Sequence, residues 1–161
     1  MRLFVSVPLP ARQRHHLLAA LGGRATTRAD QWHLALAFLA DHDDPEGLAE
    51  GLRRVAAGHR PFRLNVEGGG TFQGPGVLWA GVAGDLASLR RLASDVAATC
   101  GAAADLKPFR PHVTVARRGP ASVLTGYQGP EWTVGSIDLV HSVLTRTAEH
   151  EVLERFSLGT G

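Results

Sequence analysis

Two short segments of this chain are near copies of each other, and they constrain the fold more than any other feature. His33–Leu36 and His112–Val115 each begin with a histidine and continue with smaller and bulkier residues in alternation. Side chains of an extended strand alternate between its faces, so each histidine shares a face with the residue two places on. Each segment is therefore predicted to be a strand with one buried apolar face and one face that presents a histidine.

The position of the two segments predicts a duplicated architecture. They begin 79 positions apart in a chain of 161 residues, and each follows a segment with apolar residues at helical spacing. That spacing predicts helices over 11–21, from Pro45 to Gly58 and from Asp85 to Gly101. Gly68–Gly70 is interpreted as a tight turn, and strands are predicted over 2–7, 32–39, 62–67, 77–82, 132–145 and 150–158. We expect a pseudo-two-fold symmetric α+β protein in which two sheets flank a cleft.

Composition favours an intracellular globular protein. Cys100 is the lone cysteine, so no intramolecular disulfide can form, and no stretch approaches the roughly 18 consecutive apolar residues of a membrane span. We therefore expect a cytoplasmic protein with no membrane association. Lys107 is the single lysine among 17 basic residues. The others are arginines, whose planar guanidinium suits phosphate, although a GC-rich genome also enriches arginine.

The two histidines point to a reaction at phosphorus. If the two strands face each other across a cleft, their imidazoles converge, which is how a general acid and a general base are placed around a phosphoryl group. Imidazoles titrate near neutral pH and can fill both roles without a metal. The adjacent His15 and His16 lack a recognised ligand spacing and are interpreted as a solvated helix face, so we predict no metal site and no cofactor.

Further motifs run through nearly the whole chain: Arg2–Val5 with Leu9-Pro10, Trp32–Leu34 with Leu36–Leu39, Gly70–Phe72, Val77–Trp79 and Phe109–Arg117. Their order resembles the 2H phosphoesterases, and within them the RNA 2′,3′-cyclic phosphodiesterases, also called 2′-5′ RNA ligase-like proteins. The resemblance implies a single domain over 1–161 with two lobes. Two antiparallel sheets would line a central cleft, with helices packed on the outside.

The resemblance also implies an activity, the metal-independent hydrolysis of 2′,3′-cyclic phosphate ends of RNA or small nucleotides to 2′-phosphates. His33 would donate a proton and His112 would accept one, with the roles exchanged in reverse 2′-5′ ligation. Thr114 and Arg117 match the positions that stabilise charge on the phosphate oxygens. Strict alternation along the strand favours Arg118 instead of Arg117, and a bulge or an early strand end would reconcile the two.

Ala35 departs from the family pattern, which has threonine or serine at this position, so one donor to the phosphate is missing. A hydrogen bond to a charged group contributes about 1.5–3 kcal/mol, or roughly 10- to 150-fold in rate. The alternative is therefore a weakened or inactive module that binds RNA or nucleotides on the same fold. Phe109, in the loop that enters the second histidine strand, is the candidate for stacking on a base. We expect a monomer with no stable protein partner, because one chain supplies the whole site.

Overall fold

Strands and helices alternate along the chain largely as the residue pattern predicts. The computed structural model describes residues 2–22, 27–39, 44–72, 77–101, 109–117, 119–144 and 148–159. The helices are α1 (Ala11–Leu21), α2 (Pro45–Ala57) and α3 (Leu86–Cys100). The strands are β1 (Leu3–Pro8), β2 (His33–Leu39), β3 (Phe62–Thr71), β4 (Leu78–Gly84), β5 (His112–Ala116), β6 (Trp132–Val134), β7 (Ser136–Leu144) and β8 (Ala148–Ser157).

The strands form one antiparallel sheet that consists of two four-stranded halves. Their order is β6-β3-β4-β5-β2-β1-β7-β8. We call β2, β1, β7 and β8 the first lobe, and β5, β4, β3 and β6 the second lobe. Within the described residues, β2 and β5 pair at one position, where Leu34 lies opposite Val113. The predicted α+β fold is confirmed, and its two sheets are joined edge to edge at the histidine strands.

The two lobes repeat one structural unit. β1, α1 and β2 follow each other in the first lobe, and β4, α3 and β5 follow each other in the second. In each unit the two strands pair antiparallel, and a third strand, β7 or β3, pairs with β1 or β4 on the other side. A pseudo-two-fold axis therefore passes between the paired residues Leu34 and Val113, and it relates the two histidines.

Helix caps and apolar stripes account for α2 and α3. The carboxylates of Asp44 and Asp85 accept hydrogen bonds from backbone N–H groups three residues on, each at 3.0 Å. Leu52 and Leu89 are fully buried, and burying a side chain of this size stabilises the fold by about 1.5–3 kcal/mol. Because α3 contacts both β2 and β3, it packs against one strand from each lobe.

The prediction of one strand over 132–145 is wrong. The structure divides this stretch at Gly135 into β6, which pairs with β3, and β7, which pairs with β1. The chain crosses here from the second lobe to the first. Composition does not reveal this crossing because both pieces are apolar and extended, and only their pairing partners differ.

The interpretation of Gly68–Gly70 as a turn is also wrong, since these residues lie within β3. The register of β3 against β4 shifts between Val66 and Gly69, and Gly68 has a φ of 64°. A Cβ at Gly70 would lie 2.6 Å from the Trp79 ring. The glycines therefore form a bulge in which Gly68 adopts the left-handed backbone conformation. The absence of a side chain at Gly70 leaves space for the Trp79 ring beside the second histidine strand.

Candidate active site

His33 and His112 lie on the same face of the sheet, at the joint between the lobes. Each begins its strand, and burial alternates in step along both strands, with the residue after each histidine buried. Those following residues pair with each other, so the antiparallel register places His33 beside Thr114 and His112 beside Ala35. The two motifs thus bring four side chains together across the joint.

The same backbone contact orients both imidazole rings. Nδ1 of His33 lies 2.9 Å from the carbonyl oxygen of Gln31, and Nδ1 of His112 lies 2.8 Å from the carbonyl oxygen of Arg110. A carbonyl oxygen only accepts hydrogen bonds, so Nδ1 carries the hydrogen in both rings. Nε2 of each ring is therefore the nitrogen that can take up or release a proton.

His33 is enclosed by other rings. Its ring centroid is 4.6 Å from that of Phe4 and 4.9 Å from that of His150, which packs edge-on. Burial lowers the pKa of His33, the hydrogen bond to the Gln31 carbonyl opposes this shift, and the imidazoles of His150 and His112 lower the pKa further. The first lobe therefore holds a histidine that releases its proton readily.

His150 is a residue of this site that sequence reasoning missed. Its ring contacts His33 and packs edge-on to Phe4 with centroids 5.0 Å apart. Its backbone N–H donates to the side-chain oxygen of Gln31 at 2.7 Å. Burial also lowers the pKa of the His150 imidazole. Sequence spacing could not reveal that His150 lies at this site, because the residue that its backbone contacts, Gln31, is 119 positions away along the chain.

Aromatic rings also flank His112. Phe72 packs edge-on against the imidazole with centroids 5.2 Å apart, and the centroid of Trp79 lies 6.3 Å away. Phe72 is 38% exposed, so part of its ring reaches solvent beside the histidine. Phe109, the base-stacking candidate, is partly buried and packs against the core. The contact of Phe72 with His112 depends on the pairing of β3 with β4 and of β4 with β5.

A bulge determines the direction of the arginine that follows β5. The register between β4 and β5 shifts by one residue at Val115. Ala116 is consequently buried, and continued alternation places the exposed Arg117 on the same face as Thr114. Strict alternation along the strand favours Arg118, and this bulge is the irregularity that instead turns Arg117 to the face of Thr114. Arg118 lies outside the described residues.

The first lobe has a matching bulge but different side chains. The register between β1 and β2 shifts by one residue after Ala35. Phe38 therefore faces the side of His33, at the position that corresponds to Arg117, and it is 68% exposed. Ala35 lies opposite Ser6, a buried serine that lines a cavity together with His33. At these two positions the first lobe has apolar side chains where the second lobe has a hydroxyl and a guanidinium.

Two other kinds of feature are absent from the described part of the chain. No three histidine, cysteine, aspartate or glutamate side chains among these residues form a group that could hold a metal ion. None of the helices in the same residues is long and apolar enough to cross a membrane.

Comparison with known proteins identifies the group to which the two motifs belong. The sequence profile of the 2′-5′ RNA ligase superfamily matches residues 7–144. The chain belongs to this superfamily. A Thermus thermophilus relative named RNA 2′,3′-cyclic phosphodiesterase is 36% identical over 180 aligned positions, which cover 98% of this chain and 90% of that protein. A Geobacillus stearothermophilus relative of the same name is 34% identical over 132 positions, which cover 71% of this chain but 41% of that protein.

A solved structure of a similar protein supports the membership of the superfamily. The crystal structure of TT0787 of Thermus thermophilus matches with a TM-score of 0.85 and 31% sequence identity, and the match covers 99% of both chains. The family and the fold that the sequence motifs imply are thus confirmed. The names of the relatives also agree with the predicted enzyme class.

Proposed function

We propose that this chain is an RNA 2′,3′-cyclic phosphodiesterase that converts 2′,3′-cyclic phosphate ends of RNA or nucleotides to 2′-phosphates. The observation that carries the proposal is the matched pair of imidazoles at the joint between the lobes. Both rings are held through Nδ1, so that Nε2 is available for proton transfer. The names of two relatives support the same reaction.

In the proposed reaction, Nε2 of His112 accepts a proton from a water molecule whose oxygen attacks phosphorus. The bond between phosphorus and the ribose 3′ oxygen breaks, and Nε2 of His33 gives that oxygen its proton. The product keeps the bond to the 2′ oxygen, so it is a 2′-phosphate with a free 3′ hydroxyl. Proton exchange with water then returns both rings to their starting states. The scheme needs no metal.

The second lobe is proposed to stabilise the charge on the phosphate. Thr114 lies next to His33 in the register and offers a hydroxyl, and Arg117 offers a guanidinium on the same face. Arg118 is kept as an accessory cation. For stacking on a base, the exposure of Phe72 and its contact with His112 favour this ring over Phe109, the candidate from the sequence.

Ala35 supports a second candidate function, a module that binds RNA or nucleotides with little or no turnover. The first lobe offers Ala35 where a hydroxyl would complete the symmetry with Thr114.

The reverse reaction, 2′-5′ ligation of a cyclic phosphate end to a 5′ hydroxyl, would use the same groups with the roles of His33 and His112 exchanged. The appearance of joined product from such ends tests this reaction directly.

We also propose that residues 1–161 act as one domain with two lobes, as a monomer in the cytoplasm. One chain contributes both histidine strands to a continuous strand order, and the free thiol of Cys100 is buried. Light scattering coupled to gel filtration would measure the mass in solution. A dimer mass at micromolar concentration would contradict the monomer.

The test of the activity is hydrolysis of a short oligonucleotide that ends in a 2′,3′-cyclic phosphate, with a chelator present. The unmodified protein is compared with His112→Ala, with Ala35→Thr and with His15→Ala, an exposed helix histidine that serves as the control. Turnover that survives chelation and is lost only in His112→Ala supports the enzyme. Binding of a 2′-phosphorylated oligonucleotide without turnover in any variant would favour the binding module. A 3′-phosphate product would contradict the assigned leaving oxygen.

A further inference from the structure

Two arginines lie at the boundary between two cavities next to His33. The smaller cavity, of about 140 Å³, includes His33 in its lining. The larger cavity, of about 300 Å³, lies between the end of β1 and residues 132–136. Arg14 and Arg155 line both cavities. Pro8 also lines both and lies opposite His33 in the pairing of β1 with β2, so this boundary adjoins the proposed site of reaction.

Each of the two guanidinium groups is held in place by the protein. Arg155 donates from Nε and Nη2 to the carboxylate of Asp138, at 2.7 and 3.0 Å, and Asp138 is buried. Arg14 donates from Nη1 to the carbonyl oxygen of Leu9 at 2.7 Å. A guanidinium carries five N–H donors, so these contacts within the described chain engage only part of each group. The boundary therefore presents oriented donors.

Among the described residues, Arg14 is the guanidinium of this boundary that forms no ion pair with a carboxylate. Asp138 is paired with Arg155, and Asp30, the other carboxylate of the lining, is paired at 2.8 Å with Arg28, which also lies 3.7 Å from Glu149. Arg14 remains as a cation beyond these two pairs. A phosphodiester bears a single negative charge and accepts hydrogen bonds from more than one guanidinium. Its negative charge is complementary to Arg14, and its oxygens can accept from the remaining N–H donors of Arg14 and Arg155.

We infer that the boundary is a subsite for the phosphodiester that precedes the terminal nucleotide of an RNA 3′ end. The inference rests on the proposed function, in which the terminal cyclic phosphate lies between the histidines. The upstream phosphodiester contacts Arg14 and Arg155, and its nucleoside enters the larger cavity, where Pro8 and Trp132 offer apolar surface. The volume of that cavity is at the lower end of the range for ligand pockets, about 300–1,000 Å³. The preferred substrate is accordingly an RNA end and not a mononucleotide.

The test compares two substrates that differ by one phosphodiester. Adenosine 2′,3′-cyclic phosphate lacks it, and adenylyl-adenosine with a terminal 2′,3′-cyclic phosphate has it. We expect kcat/KM to be about tenfold higher for the dinucleotide, the scale of one charge-assisted hydrogen bond. Arg14→Gln should remove most of this preference and leave hydrolysis of the mononucleotide unchanged. Arg12→Gln, in an exposed residue of the same helix that lines neither cavity, is the matched control.

The salt dependence of KM distinguishes a direct phosphate contact from an altered fold. Each phosphate contact to a single strand contributes about 0.7 to the slope of log affinity against log salt. Arg14→Gln should reduce the slope for the dinucleotide by about this amount and leave the slope for the mononucleotide unchanged.

Arg155→Gln alone would leave the buried Asp138 carboxylate unpaired, so the double variant Asp138→Asn/Arg155→Gln is used. It should also lower the preference for the dinucleotide.

Equal kcat/KM for the two substrates in the unmodified protein would overturn the subsite, as would equal losses on both in Arg14→Gln. A lack of turnover on both substrates would overturn the proposed function instead. The subsite is then judged by titration with the 2′-phosphates of adenylyl-adenosine and of adenosine. If Arg14→Gln weakens the binding of the two 2′-phosphates equally, the subsite is also wrong.

Discussion

The two histidine strands share a backbone arrangement and differ in the side chains around it. In both, the histidine begins the strand, its Nδ1 contacts the carbonyl oxygen two residues earlier, and a bulge follows. On the face of His33 the first lobe continues with Ala35 and Phe38, whereas the second lobe continues with Thr114 and Arg117. The orientation of the rings is therefore common to the lobes, and the groups suited to phosphate belong to the second.

This difference separates two requirements of the proposed site. A backbone carbonyl can orient an imidazole whatever the neighbouring side chains are, so the orientation persists when the sequences of the two lobes diverge. Stabilisation of phosphate charge depends on side chains. Because Thr114 lies next to His33 across the joint, donors from the second lobe can serve a phosphate held between both histidines.

The largest expected effect follows from removal of either imidazole. His33→Ala and His112→Ala should each lower kcat by about 100- to 10,000-fold, because each ring carries one of the two proton transfers. The double variant should be little worse than the poorer single variant, since the two groups act as a unit. Single-turnover hydrolysis of the cyclic phosphate measures this. A single variant with near-normal kcat would show that the lobes do not contribute equally.

An exchange of the hydroxyl between the lobes gives the next largest effect. Thr114→Ala should lower kcat by roughly 10- to 150-fold, and Ala35→Thr should raise it by up to about tenfold. The exchange variant Ala35→Thr/Thr114→Ala tests the symmetry itself. If its kcat equals that of the unmodified protein, the two positions are equivalent. If it behaves like Thr114→Ala, only the second lobe can serve the phosphate.

Acid should destabilise the fold through the first lobe. The pKa of His33 is lowered in the folded state, so the unfolded chain binds a proton more readily near the ordinary value of about 6.5. Its contribution to stability is complete above that value and is lost as the pH falls through the lowered pKa. His33→Phe should therefore reduce the change in the free energy of unfolding between about pH 7.5 and about pH 5.5, measured with urea. An unchanged difference would contradict the enclosure of His33.

The smallest effect is expected from giving the first lobe the cation that it lacks. Phe38→Arg places a guanidinium at the position that corresponds to Arg117. Because Phe38 is 68% exposed, the free energy of unfolding should change by no more than about 0.5 kcal/mol. KM for the cyclic phosphate should fall by up to about fivefold, the scale of an exposed charge pair. A rise in KM would instead indicate that the Phe38 ring itself contacts the substrate.

Local sequence patterns account for most of the fold. The helices predicted from 11, from Pro45 and after Asp85 begin where the structure has them, because caps and apolar stripes act over a few residues. The division at Gly135 and the bulge at Gly68 were not predictable in the same way. Both depend on which lobe a strand joins, and pairing partners far along the chain decide that.

The residues of the candidate site also fall into two groups, those that a local sequence pattern indicates and those that depend on distant strand pairing. The alternation of small and bulky residues is local, so His33 and His112 could be singled out from the sequence. His150 and Phe72 contact these rings from strands with no matching pattern. The direction of Arg117 depends on the bulge at Val115, which strict alternation does not anticipate.

The order of the strands has a consequence for how the protein is made. The second lobe uses the consecutive strands β3 to β6, whereas the first lobe needs β7 and β8 from later in the chain. On the ribosome β1 and β2 emerge early, but β1 also pairs with β7 and must wait for it. The strands of the lobe with His33 are therefore the last to be complete, after all four strands of the His112 lobe have been synthesised.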